Sequence, residues 1–193
     1  MKKIYIIGDD KIGRYAMNSL SGRNIIIRNQ STNFIRVFKL IIKKVVSLGD
    51  VLKMLIAECR RKHHSAKNFA IIKNNSELMQ YIIKEEPTHV ICFRAGLVIN
   101  KKVLNLGPKF FNIHCADLPK YPGIGSILKA LRDQCYEQHA CLHEMLPEVD
   151  KGSVIYKEPY TLVKGSSYIT NEDLAYGAGR KILLEIEKNK ILI

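Results

Sequence analysis

The chain has 193 residues, 47% of them apolar and 25% charged, and 31 Lys+Arg against 18 Asp+Glu give a formal charge of +13. This composition is that of an ordinary globular chain, long enough to bury a core in one domain over 1–193, and no run approaches the roughly 18 apolar residues of a spanning helix. The positive excess either favours an anionic partner (a phosphorylated substrate, a polyglutamylated cofactor, nucleic acid or an anionic membrane surface) or is simply a solvated basic surface.

Ile4 to Ile7 reads as a buried strand that turns at Gly8, and it is too short for a signal peptide. A helix near Arg14 to Leu20 follows, then a short strand at Ile25–Ile27. Residues Phe34–Leu48 and Val51–Cys59 are apolar helical stretches broken at Gly49, within a basic helical segment spanning 34–64. Residues 36–67 carry nine Lys/Arg against Asp50 and Glu58. That pattern suits an amphipathic basic face for an anionic membrane or a partner helix, or a helical pair that covers the sheet and carries solvated lysines.

Strands are expected at Phe69–Ile72, Val90–Phe93 and Phe110–His114, with a helix over Ser76–Lys84 that has Ser76 as cap or first-turn residue. Gly125 to Asp133 looks helical, and Cys141–Met145 and Val154–Leu162 look like antiparallel strands. Asn171–Lys188 reads as a last amphipathic helix capped by Thr170 or Asn171. Short apolar strands alternating with helices predict an α/β fold, a mostly parallel sheet covered on both faces.

The five cysteines form no C-x-x-C pair, so neither a disulfide framework nor a zinc site is expected, and a reducing cytoplasm fits. His63, His64 and His89 read as surface residues. His139 and His143 bracket an apparent strand and give no metal spacing. Gly8-Asp9-Asp10-Lys11-Ile12-Gly13 matches no nucleotide-loop pattern, and two aspartates there would repel a phosphate. A plain strand-to-helix turn with no dinucleotide cofactor is the expectation.

The chemistry concentrates in Asn112-Ile113-His114, the turn Leu118-Pro119-Lys120-Tyr121-Pro122-Gly123, and Asp150-Lys151-Gly152. Residues at i and i+2 of a strand share a face, so Asn112 and His114 can act on one substrate atom. A second loop can bring Asp150 onto the histidine. Acyl transfer to an amine needs such a set: a donor for the oxyanion, a proton-handling group and a carboxylate to orient it. Cys115 is disfavoured as a nucleophile, because sequence neighbours on a strand point to opposite faces.

These residues, with Ala130-Leu131 and Asp150-x-Gly152-x-Val154-Ile155, resemble the formyltransferases that use 10-formyltetrahydrofolate. The likeness is dense over about 88–160, and the interval of 36 residues from His114 to Asp150 resembles that of the purine-pathway member. It implies a Rossmann-like formyltransferase-type fold and no required metal. Asn112 would bind the formyl oxygen, and His114 as imidazolium would stabilise the oxyanion or move a proton. Asp150 would hold His114 charged and oriented and help strip the amine proton. The family's pteridine pocket maps onto Ala95, Gly96, Leu97 and Val98, and onto Leu146, Pro147, Glu148 and Val149.

Three departures stand out. Cys115-Ala116-Asp117 replaces a Pro-Ser-Leu stretch, His139-Ala140-Cys141 replaces Gly-Val-Thr, and the purine enzyme's Gly/Ser-rich phosphate loop is missing at Gly8–Gly13. The chain as given also lacks the further domain expected of the tRNA enzyme. By elimination the favoured acceptor is an amino sugar on a nucleotide carrier, used for surface polysaccharide, with no nucleic acid partner expected. Glycinamide ribonucleotide is the alternative acceptor. Two other readings stay open: a non-catalytic folate-fold protein that binds through segment 36–67, and hydrolysis of the formyl donor. Peripheral membrane contact and a homodimer remain open as partnerships.

Overall fold

The computed structural model describes residues 2–21, 24–30, 38–39, 41–65, 69–191 and 193. Seven strands form one sheet: β1 (Lys3–Gly8), β2 (Ile25–Asn29), β3 (Ala70–Ile72), β4 (His89–Phe93), β5 (Lys109–His114), β6 (Glu137–Glu144) and β7 (Val154–Thr161). Their order is β3-β2-β1-β4-β5-β6-β7, parallel through β5 and antiparallel for β6 and β7. The helices are α1 (Lys11–Ser19), α2 (Leu48–Arg60), α3 (Asn75–Glu85), α4 (Lys101–Leu104), α5 (Ser126–Arg132) and α6 (Tyr168–Glu187).

The continuous apolar runs of β1 and β4 arise because both faces of the sheet are covered. Tyr5, Ile7, Ile91 and Phe93 point into a core shared with Met17 of α1 and Ile182, Leu183 and Ile186 of α6. Their neighbours Ile4, Ile6, Val90 and Cys92 point the other way, onto Leu78 and Ile82 of α3 and Val103 of α4. α6 lies close against the sheet at Gly179, where a Cβ would come within 2.5 Å of Cys115 Sγ and 2.9 Å of a Phe93 ring carbon. Lys3 pins the far end of α6, donating to Ile186 O and Asn189 Oδ1, each at 2.8 Å.

Several expectations shift. Gly49 does not break a helix; it sits in the first turn of α2, after a Ser47/Asp50 capping box. The break is the turn over residues 43–46, where Lys44 takes φ +53°. Of the expected helix Phe34–Leu48, residues 38–39 and 41–42 are helical, while 34–37 and 40 lie outside the described residues. α6 starts three residues early because Ser167, not Thr170 or Asn171, accepts the Thr170 N–H. Asn171 is instead wholly buried and tethers the preceding loop through Val163 N–H and O. α3 is capped by Asn74, which leaves Ser76 in the first turn. His89 is buried rather than on the surface, its ring stacked 6.0 Å from that of Phe111. Burial, together with the charges of Lys109 and Lys3, lowers its pKa.

Candidate active site

In β5, Phe111 and Ile113 enter the α1/α6 core and Phe110 enters the other core. Asn112 and His114 follow Phe110 on that second face, where polar side chains take over at the strand's C-terminal end. β6 then brings in a residue that sequence reasoning missed. His143, 2% exposed, is the direct cross-strand partner of Asn112. It lies inside β6, as does His139, so the two do not bracket a strand.

After β6 the chain folds back over β5. Met145 N–H donates to Phe110 O at 2.9 Å, and Glu144 N–H to Ser153 O at 3.0 Å. Gly152 allows this return, since a Cβ there would collide with Glu144 O. The fold-back places Asp150, in left-handed backbone at φ +56°, above the strand. Its Oδ2 accepts the Gly123 N–H at 2.8 Å and faces His114 Nδ1 at 3.4 Å. Its Oδ1 lies 3.4 Å from both Asn112 Nδ2 and His143 Nε2. The four side chains therefore form one buried knot.

The ring protons follow from the carbonyl partners, which only accept. His114 Nε2–H donates to Tyr121 O at 2.7 Å, leaving Nδ1 towards Asp150. His143 Nδ1–H donates to Glu144 O at 2.7 Å, and its Nε2 lies 3.2 Å from Asn112 Nδ2. Burial is the largest influence on both charged partners of the knot. It raises the Asp150 carboxyl, but in the acid range where this group titrates the His143 hydrogen bond, the charge of the protonated His114 and His143 rings and the Gly123 N–H outweigh it and bring the pKa down to about 2. Burial lowers His114, against the opposing pull of Asp150 and the Tyr121 carbonyl. Burial thus favours a neutral imidazole beside the carboxylate at rest, whereas the resemblance implies an imidazolium during transfer. Asp150 stays ionised all the same, because the Gly123 N–H and the Asn112 amide hold it whatever the charge of the ring.

A cavity of about 550 Å³ opens over this knot. Asn112, His114 and Asp150 line it together with Ala95, Gly96, Leu97 and Val98 on one side and Leu146, Pro147, Glu148 and Val149 on the other. All eleven residues singled out in the sequence share this one space. The first loop is held in place: Leu97 N–H donates to Asn29 Oδ1 at 3.1 Å, and Val98 O accepts from Asn75 at 3.0 Å. Leu97, Ile99, Met145 and Leu146 make the intervening walls apolar, which fits a flat heterocycle.

A further part of the cavity lining was not foreseen. Arg94, Glu172, Tyr168 and Tyr176 line it. Arg94 contacts Asp10 at 2.6 Å and Glu172 at 3.5 Å and lies 4.2 Å over the Tyr176 ring. Arg61 holds Glu172 at 2.7 Å and Asp173 at 2.9 Å. Burial would neutralise Arg94, but Tyr176, Asp10 and Glu172 keep it charged. The turn Gly8–Gly13 is the plain strand-to-helix turn expected. Asp10 caps Gly13 N–H at 2.8 Å, and Glu58 Oε1 takes Lys11 N–H at 2.8 Å, so two of the protein's own carboxylates sit at the α1 N-terminus. One signal in the sequence pointed here: Arg94 directly follows the wholly buried run of β4.

Comparison with known proteins bears on the family and the fold. A family model described as formyl transferase matches residues 59–186. Methionyl-tRNA formyltransferase of Sulfurihydrogenibium is 27% identical over 126 residues, covering 62% of this chain and 40% of that protein. The Thermotoga neapolitana methionyl-tRNA formyltransferase is 31% identical over 83 residues, 42% of this chain and 26% of that one. The chain thus spans well under half the length of these relatives. Among solved structures, phosphoribosylglycinamide formyltransferase from Streptococcus pneumoniae superposes with a TM-score of 0.63 at 16% identity, over 98% of both chains. A sugar N-formyltransferase from Shewanella gives 0.63 at 13% identity, over 98% of this chain and 71% of that one. At such identities the likeness is one of fold: the same mostly parallel sheet with helices on both faces.

Proposed function

The chain belongs to the formyl transferase family, and from that premise we propose that it moves a formyl group from 10-formyltetrahydrofolate to a primary amine. The observation that carries this reading is the convergence of Asn112, His114 and Asp150 on the floor of one apolar-walled cavity. The donor supplies the activated formyl carbon; Ala95–Val98 and Leu146–Val149 are the segments that would hold its pterin between them.

Asn112 Nδ2 turns from the knot to donate to the formyl oxygen as negative charge grows there. His114 starts neutral and takes the proton released by the attacking amine. The imidazolium so formed lies between two acceptors, Asp150 Oδ2 and Tyr121 O, and adds its charge to the stabilisation of the formyl oxygen. His114 then returns the proton to the departing nitrogen. Asp150, ionised throughout, orients the ring and balances its transient charge. His143, its Nδ1–H held by Glu144 O, turns Nε2 to the Asn112 amide from below.

For the acceptor we favour an amino sugar on a nucleotide carrier. The α1 N-terminus, a natural phosphate seat after the first strand of such sheets, is filled by Asp10 and Glu58. Their carboxylates oppose a phosphate at that point, which weighs against glycinamide ribonucleotide.

The test is tetrahydrofolate release from 10-formyltetrahydrofolate with nucleotide-linked amino sugars and glycinamide ribonucleotide as acceptors. Turnover with an amino sugar alone is the expected result. Turnover with glycinamide ribonucleotide alone reverses the choice of acceptor. Formate release without any amine makes the protein a hydrolase, and loss of folate binding removes the reading altogether.

A further inference from the structure

α2 is amphipathic in the reverse of the usual sense. Its inner side is the polar and small one. Asp50 and Ala57 are buried, Asp50 is held by Arg132 at 2.9 Å, and Glu58 and Arg61 reach α1 and α6. The outer side is apolar. Leu48, Leu52, Leu55 and Cys59 follow one another at intervals of four, three and four residues, a single line along the helix. Leu48 is 71% exposed, Leu52 56% and Leu55 55%, with Ile56 beside them. Phe38 and Ile42, 63% and 64% exposed, extend the apolar surface towards the N-terminus. Single exposed leucines are ordinary, but a contiguous line of them marks an interaction surface.

The charges around the line say what covers it. Lys39, Lys43, Lys44, Lys53, Arg60 and Lys62 are all exposed. The acids of this stretch, Asp50 and Glu58, both face inward and are engaged. A twofold-related copy would set cation against cation around the seam, and a cationic or neutral partner gains nothing from this rim. A surface with an apolar interior and a dense anionic face complements both parts at once.

We propose that the outer face of α2, with the preceding residues 38–39 and 41–44, seats this protein on an anionic lipid surface, the leucines in the acyl boundary and the lysines among the headgroups. The docked helix is also a wall of the candidate active site: Val45 and Met54 line the cavity while the leucines face outward. Docking thus orients the cavity relative to the membrane. The inference stands apart from the formyl transfer reading, since it uses none of the residues of the Asn112 knot.

The test is co-sedimentation of the full chain with vesicles of phosphatidylcholine alone and of phosphatidylcholine with 30 mol% phosphatidylglycerol (roughly the anionic fraction at which basic helices bind). Binding is expected only to the anionic vesicles. Leu52→Glu with Leu55→Glu should weaken it roughly tenfold or more, and Lys43→Ala with Lys44→Ala roughly 25-fold, about fivefold per charge near the surface. Because the substituted side chains point to solvent, the variants should keep the parent's unfolding midpoint and its turnover with a water-dissolved acceptor. Equal binding to both vesicle types overturns the proposal. So does binding that the leucine variant leaves unchanged, because the contact is then charge alone. A dimer in sedimentation velocity that the leucine variant dissociates, without vesicle binding, assigns the face to a second copy instead.

Discussion

Two charged clusters line the cavity, and they are built on opposite plans. At the Asp150 cluster a carboxylate meets two imidazoles and an amide, so the positive partner can come and go with a proton. At the Arg94 cluster three carboxylates meet two guanidiniums whose charge is permanent. The first arrangement can move protons. The second can only hold its shape and present fixed charges and tyrosine rings to whatever enters. Burying ionisable groups is therefore not itself a sign of catalysis; what matters is whether the partner titrates in the working range.

The comparison breaks hardest at the Asp150 cluster. His114→Ala or Asp150→Asn should reduce formyl transfer by about 10²- to 10⁴-fold with the fold retained, as read by single-turnover rates beside near-native circular dichroism. Activity within a few-fold of the parent would place the proton step elsewhere. In the Arg94 cluster Arg94→Met leaves Asp10 without its cation, while Glu172 keeps only Arg61. It should lower the unfolding free energy by about 3–5 kcal/mol in a denaturant titration, and a loss below about 1 kcal/mol would mean that water reaches the network.

Acid should separate the two clusters further. The folded Asp150 carboxyl sits at about 2, below its ordinary 3.8, so the unfolded chain binds the proton first. Its stabilisation, about 2 kcal/mol, is present above 3.8 and is lost as pH falls towards 2. Asp150→Asn should lose that slope in acid-unfolding curves. His114 titrates below its ordinary 6.5, and its neutral form is the working one. kcat/KM should therefore rise with pH along a limb centred below 6.5 and then level off; a limb above 6.5 would mean that the imidazolium is the resting species. The smallest effect concerns Lys129, whose charge helps to lower His114. Lys129→Met should move that limb to higher pH and leave the plateau rate nearly unchanged.

How far the sequence spoke depends on the range of the interaction that decides each feature. β1 and β4 were legible because burial on both faces writes itself as a nearly unbroken apolar run, and β5 because Phe110, Phe111 and Ile113 leave only Asn112 to interrupt one. Asn112 and His114 were legible because a strand's period of two puts them side by side, and Asp150 because order and interval match a known pattern. His143 was not. It joins Asn112 by the register of β5 against β6, and no local pattern reports a register. Arg94 and Glu172 escaped for the same reason, being 78 residues apart in sequence and 3.5 Å apart in space. The α6 start was misplaced because Asn171, a good cap by residue type, is used as an internal tether while Ser167 does the capping. At Gly49 a poor helix former is carried by the Ser47/Asp50 capping box that spans it.

The distribution of thiols has a consequence for handling the molecule. Burial pushes the Cys92 thiol up to about 12 and raises Cys115 and Cys141 as well, so these three stay protonated and unreactive even though Cys115 adjoins His114. Cys59 is exposed on the leucine line of α2, and Cys135 is partly exposed beyond α5. A maleimide added to the native protein should therefore mark Cys59 first and read out directly whether that face is covered. In air, ageing protein should cross-link face to face through the same sulfur, long before oxidation reaches anything near the chemistry.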